Sequence, residues 1–185
     1  MARRRRDPSQ MNLRALAAGG AAFVVTAGAI EALKAAGKAE GGGLFGPGTT
    51  QADINILLEV LLVLGLTFGI VLARRGSIEG HRINQTVWVM VNAALVASIM
   101  AGSMAGFKIA SLRALLDIGN FLTVLHALLG TFAVLSGLWL VLQMNDVLPP
   151  RLHVGWWKGL MRATLAAYWA VALLGLATYY YWYAQ

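Results

Sequence analysis

The chain has 185 residues, of which 58% are hydrophobic and 12% charged, with no cysteine and a formal net charge of +7. A mean hydropathy of +0.66 excludes an ordinary water-soluble domain. The lack of thiols excludes disulfides, thiolate metal ligands, covalent c-type haem and a dinuclear copper–thiolate centre, so any metal must be held by His, Met or carboxylate.

Residues 1–11 form a basic tail carrying Arg3, Arg4, Arg5 and Arg6. Behind it, residues 12–37 hold the weakest apolar stretch, Leu13–Ile30. A basic segment before an apolar run also fits a cleaved signal peptide. This run is long for one, however, and it passes into Glu31 and Lys34 without a small-residue cleavage pattern. A retained additional helix is therefore expected. Residues 38–52 read as an external glycine-rich loop around Gly41–Gly48. Residues 53–185 then carry four strong stretches: Ile54–Ala73, Val87–Phe107, Phe121–Leu142 and Ala163–Tyr183. Each is about twenty residues, enough for a helix rising about 1.5 Å per residue to cross a hydrocarbon core of about 30 Å. The predicted fold is all-α: an integral membrane bundle of four core transmembrane helices plus one amino-terminal transmembrane helix.

The basic residues set the expected orientation. Arg3–Arg6, Arg74, Arg75 and Arg82, and then Arg151, Lys158 and Arg162, all fall on one side. Lys108 and Arg113 fall on the other. The positive-inside rule puts the amino terminus in the cytoplasm and the carboxyl terminus outside, in a bacterial cytoplasmic membrane. Cations beside helix ends meet anionic lipid, so the expected partners are the bilayer and another membrane protein, not nucleic acid. Tyr179–Tyr183 reads as an interfacial aromatic belt. Gly65 with Gly69, and Gly102 with Gly106, read as close-packing pairs. Asp117, Gly119 and Asn120 read as the cap of the fourth helix.

Three histidines carry the candidate chemistry. His81 begins a face that continues through Gln85, Trp88 and Asn92. Lipid offers these groups no hydrogen-bond partner, so the face must point into the bundle, either as a hydrogen-bonded seam or as a ligand face. His126 lies inside the hydrocarbon, above a strip of Gly130, Ala133 and Gly137. Such a strip suits a flat macrocycle or a closely packed helix, which makes His126, Gly130 and Gly137 candidate cofactor contacts along with His81. His153 follows Pro149 and Pro150 on the same expected side as His81. Six residues at about 1.5 Å put His126 about 9 Å below the outer boundary and about 20 Å from His81. Two ligands of one metal, each about 2 Å from it, cannot be that far apart. His81 with His153 remains possible, whereas His126 needs other partners, Glu59 or Glu31. A charge inside a spanning helix costs about 2.5–3.5 kcal/mol on insertion scales, so Glu59 needs a partner. Glu31 has Lys34 one turn away.

The segment Arg74–Arg82, reading Arg-Arg-Gly-Ser-Ile-Glu-Gly-His-Arg, resembles the basic turn of a small bacterial membrane family. That family is designated domain of unknown function 420 and includes the CtaM- and YozB-like proteins. The resemblance runs through His126–Gly130 and Gly137, then Arg162, Thr164, Tyr168, Gly175 and Tyr179. It implies an accessory or assembly role for a haem-copper terminal oxidase, with handling of haem or copper. On that reading His81, His126 and His153 are the contacting groups, and Glu59, from its depth, is a further candidate metal ligand. One departure is that the family's last histidine precedes the final helix where this chain has Trp157 or Lys158, and His153 stands four residues before Trp157. Two alternatives stay open: a b-type haem protein moving electrons in the membrane, and a structural subunit of a respiratory or photosynthetic complex.

Overall fold

The computed structural model describes residues 8–40, 43, 48–106, 113 and 116–183. Among them no strand occurs, and five helices are long and apolar enough to cross a membrane. They are α1 (Pro8–Glu40), α2 (Thr50–Arg74), α3 (Ile78–Gly106), α4 (Ile118–Met144) and α5 (Trp157–Tyr183). Each core helix starts before its apolar stretch does. Polar capping residues extend the helix past the hydrocarbon: Thr49 accepts from the Ala52 amide and Asp117 from the Asn120 amide. The basic tail Arg3–Arg6, most of the Gly41–Gly48 loop and Lys108 lie outside the described residues.

Helices α2, α3, α4 and α5 close into a ring, and α1 packs on its outside, chiefly against α3. Successive helices run antiparallel. The tightest connection, between α2 and α3, turns through Gly76 at a φ of 76°, a left-handed conformation that favours glycine. The described cations Arg14, Arg74, Arg75, Arg82, Arg151, Lys158 and Arg162 therefore gather at one end, hereafter the basic end. Polar contacts hold α1 there: Arg82 donates to Asn12, Asn12 to Asp146, and Arg14 lies 3.4 Å from Glu79. Further along, Gly19 lets α1 approach Thr86 and Met90 of α3. At the far end Ile30 is buried with Ile54, Leu95 and Ile99.

The surface is apolar where a soluble protein's would be polar. Leu128 is 65% exposed, Leu135 63% and Leu173 61%, which gives the bundle a lipid-facing exterior. In lipid, burying an apolar side chain adds little driving force, so close packing and interhelical hydrogen bonds must hold the helices together. The α2–α3 seam supplies both. Gly65 makes room for the Trp88 indole, and Gly69 for the Asn84 and Gln85 amides. Asn84 donates to the Gly65 carbonyl at 2.8 Å, Gln85 to that of Leu66 at 3.0 Å, and His81 Nδ1 to that of Gly69 at 2.7 Å. The His81–Gln85–Trp88–Asn92 face does point inward. The Gly102–Gly106 pair differs from expectation, because among the described residues a side chain at either position would meet nothing within 4 Å.

A buried carboxylate–imidazole pair as candidate functional site

Three residues of the ring reach the same depth from the end opposite the basic one. Glu59 is nine residues into α2 from Thr50, His126 eight into α4 from Ile118, and Gly175 eight from the end of α5 at Tyr183. At about 1.5 Å per residue, each lies about 12–14 Å along its helix. There His126 Nε2 comes within 3.5 Å of Glu59 Oε1. Glu59 is only 3% exposed. Gly175 makes the meeting possible, since a Cβ at that position would overlap the Glu59 carboxyl and lie 3.3 Å from the imidazole.

Each partner is held from behind. Asn55, one turn earlier on α2, donates to Glu59 Oε1 at 2.8 Å. His126 Nδ1 lies 3.1 Å from the Val171 carbonyl of α5. A carbonyl can only accept, so Nδ1 carries a hydrogen and Nε2 turns its other face to the carboxyl. The second oxygen, Glu59 Oε2, is buried and has no hydrogen-bond partner among the described residues, and the same is true of Asn55 Oδ1.

Beside Glu59 lies a cavity of about 20 Å³, lined by Asn92, Met100, Gly130, Tyr168 and Val171 among others. That is room for about one water molecule. On its α3 side the backbone departs from α-helical spacing: Val96–Met100 form a π-helical turn, and the Ala101 amide bonds to the Val96 carbonyl. The wider turn sets Val96 and Met100 on the cavity wall. Such turns often accompany functional sites. Nearer the basic end, Asn92 donates to the Tyr168 hydroxyl at 3.1 Å, and Gly137 leaves space for that hydroxyl.

The other candidate residues stand elsewhere. His81 is occupied by the Gly69 carbonyl, and His153, on an exposed connection, lies 3.0 Å from that of Leu148. Among the described residues no three His, Asp or Glu side chains converge as a metal site. Glu31 pairs with Lys34 at 2.8 Å, so His126 finds Glu59 and not Glu31. The strip below His126 is filled by a helix: Gly130 faces Val171 and Gly137 faces Tyr168, both on α5. Asn55, Gly175 and the π turn escape a reading that follows histidines. The Asn55–Glu59 spacing of one turn was the available signal; nothing in the residue types marks the π turn.

Compared with protein-family models, curated proteins and solved structures, the chain matches none.

Proposed function

We propose that this chain is an accessory membrane protein whose working centre is the Glu59–His126 pair, acting as an acid–base couple inside the membrane. The observation that carries this reading is the 3.5 Å approach of imidazole and buried carboxyl. With Nδ1 bound to the Val171 carbonyl, the pair holds one proton between Oε1 and Nε2. A neutral pair, carboxylic acid facing an imidazole lone pair, avoids burying two charges in a low dielectric. Ionisable residues at such depth are costly, and they commonly mark proton or ion handling. Two donors are too few for a closed metal site, which favours proton work over metal storage.

The resemblance of Arg74–Arg82 and His126–Gly130 to the oxidase-assembly family supports a haem-copper terminal oxidase as the client. The cations gathered at one end support a cytoplasmic amino terminus and an external carboxyl terminus in a bacterial cytoplasmic membrane. The test is oxidase activity in cells carrying Glu59→Gln, His126→Leu or His126→Ala at matched protein levels. Each variant should insert and accumulate normally yet lower the activity several-fold. Unchanged activity in both Glu59→Gln and His126→Leu would overturn the proposal.

A further inference from the structure

Three of the four buried side-chain oxygens without a hydrogen-bond partner among the described residues are Glu59 Oε2, Asn55 Oδ1 and Thr178 Oγ1. They are not scattered. Asn55 lies one turn from Glu59 on α2, and Thr178 lies one turn from Gly175 on α5, both toward the same end of the bundle. At that end Tyr179 donates to Asp53 at 2.5 Å, with Gly48 beside both groups. Asp53 is fully buried and Tyr179 half-buried. Polar groups thus occur at successive depths from the end where α2 begins down to the pair.

Towards the basic end the arrangement is different. Leu62, Val63, Leu66, Val89, Ala133 and Ala172 belong to one buried apolar cluster. Of the polar groups between the cavity and the basic end, Asn92 bonds Tyr168 and Thr164 bonds Ser136 at 2.9 Å. The fourth oxygen without a partner among the described residues, Asn145 Oδ1, lies beyond this cluster, where α4 ends. Unpartnered oxygens in a low-dielectric interior are costly unless water or a proton donor reaches them.

We infer that the Glu59–His126 pair exchanges its proton with one end of the bundle only, through a polar file made by Asn55, Thr178 and the Asp53–Tyr179 mouth. This inference rests on the acid–base reading above and adds a direction to it. An incoming proton adds to the Nε2 lone pair and leaves an imidazolium beside a carboxylic acid. Its departure the same way restores the neutral pair, so charge and atoms balance with no other reactant. The titratable groups around the route are Asp53 on α2 and Tyr179 and Tyr183 on α5, whose rings lie 5.3 Å apart; Tyr168 lies on the other side of the pair. From α3 the facing side chain is Asn92, and on α1 Glu31 and Lys34 engage each other.

Infrared spectroscopy of the full-length protein in lipid nanodiscs tests both levels. The protonated-carboxyl stretch that Glu59→Gln removes reports the pair, and the rate of its shift on transfer to deuterated water reports the route. Asn55→Leu and the nearly isosteric Thr178→Val should each slow that shift at least tenfold, with the band and the helical circular dichroism retained. Thr164→Val, on the sealed side, should leave the rate unchanged. If the wild-type protein shows no band that Glu59→Gln removes, the acid–base couple itself fails. If the band is present but Thr178→Val exchanges at the wild-type rate, or Thr164→Val slows exchange equally, the couple stands and the one-sided route is overturned.

Discussion

Tyr168 and Asn92 show what a single side chain contributes in this bundle. Their bond is buried and joins α3 to α5 next to the cavity. In Tyr168→Phe the ring still packs, but the Asn92 amide loses its acceptor. The cost should be about 0.6–2 kcal/mol, the range of interhelical hydrogen bonds in membranes. Thermal unfolding in detergent would measure it, and an unchanged midpoint would mean that Asn92 finds another acceptor. Glu59 poses a sharper case. In Glu59→Gln the side chain keeps its shape and can still receive the Asn55 hydrogen bond, so stability should change little while proton exchange disappears. His126 and Glu59 were each conspicuous in the sequence as ionisable groups too deep to stand alone. That they answer one another depends on Gly175, whose place against the pair no local pattern announces.

At the scale of helices, glycine spacing alone does not tell where two of them touch. Gly65–Gly69 and Gly102–Gly106 have the same form in the sequence, yet among the described residues only the first pair faces a neighbour. Gly65→Ala would drive a methyl into the rigid Trp88 indole and should destabilise the protein by about 1–3 kcal/mol. Gly102→Ala meets open space and replaces a flexible residue within a helix, so it should be neutral or stabilising by up to about 1 kcal/mol. Parallel melting curves of the two variants decide the matter, and similar losses in both would refute the asymmetry. The π turn in α3 follows the same logic. Val96–Met100 looks like any apolar helical run, and the extra residue per turn becomes apparent only where it widens the wall opposite Glu59.

For the whole molecule, the antiparallel order of five helices collects Arg14, Arg74, Arg75, Arg82, Arg151, Lys158 and Arg162 at one end and leaves Lys34 and the Asp53–Tyr179 pair at the other. A reporter domain fused after Gln185 should be active only when the reporter works outside the cytoplasm. Cytoplasmic activity would reverse the orientation of bundle and polar file together. The position of α1 on the outside of α3 suits an added helix. Its apolar residues Leu13, Val24 and Val25 are each about 70% exposed, facing lipid and not the ring interior.

By itself the sequence determined the class of the molecule: an all-α membrane bundle of four core helices and one more. Solvent preference acts on the average of some twenty residues, and that average can be read without knowing any contact. It also determined that the His81–Asn92 face turns inward and that His126 and His81 lie too far apart to share one metal, since helical rise converts residue number into depth. Only the tertiary structure decided which residues at one depth meet. His126 faces Glu59 across Gly175, its small-residue strip receives α5, and the unpartnered oxygens of Asn55 and Thr178 fall on one side of the pair. These results depend on how the helices are rotated about their axes. In lipid that rotation is set by close packing and a few hydrogen bonds between distant segments, not by the hydropathy that places each helix in the membrane.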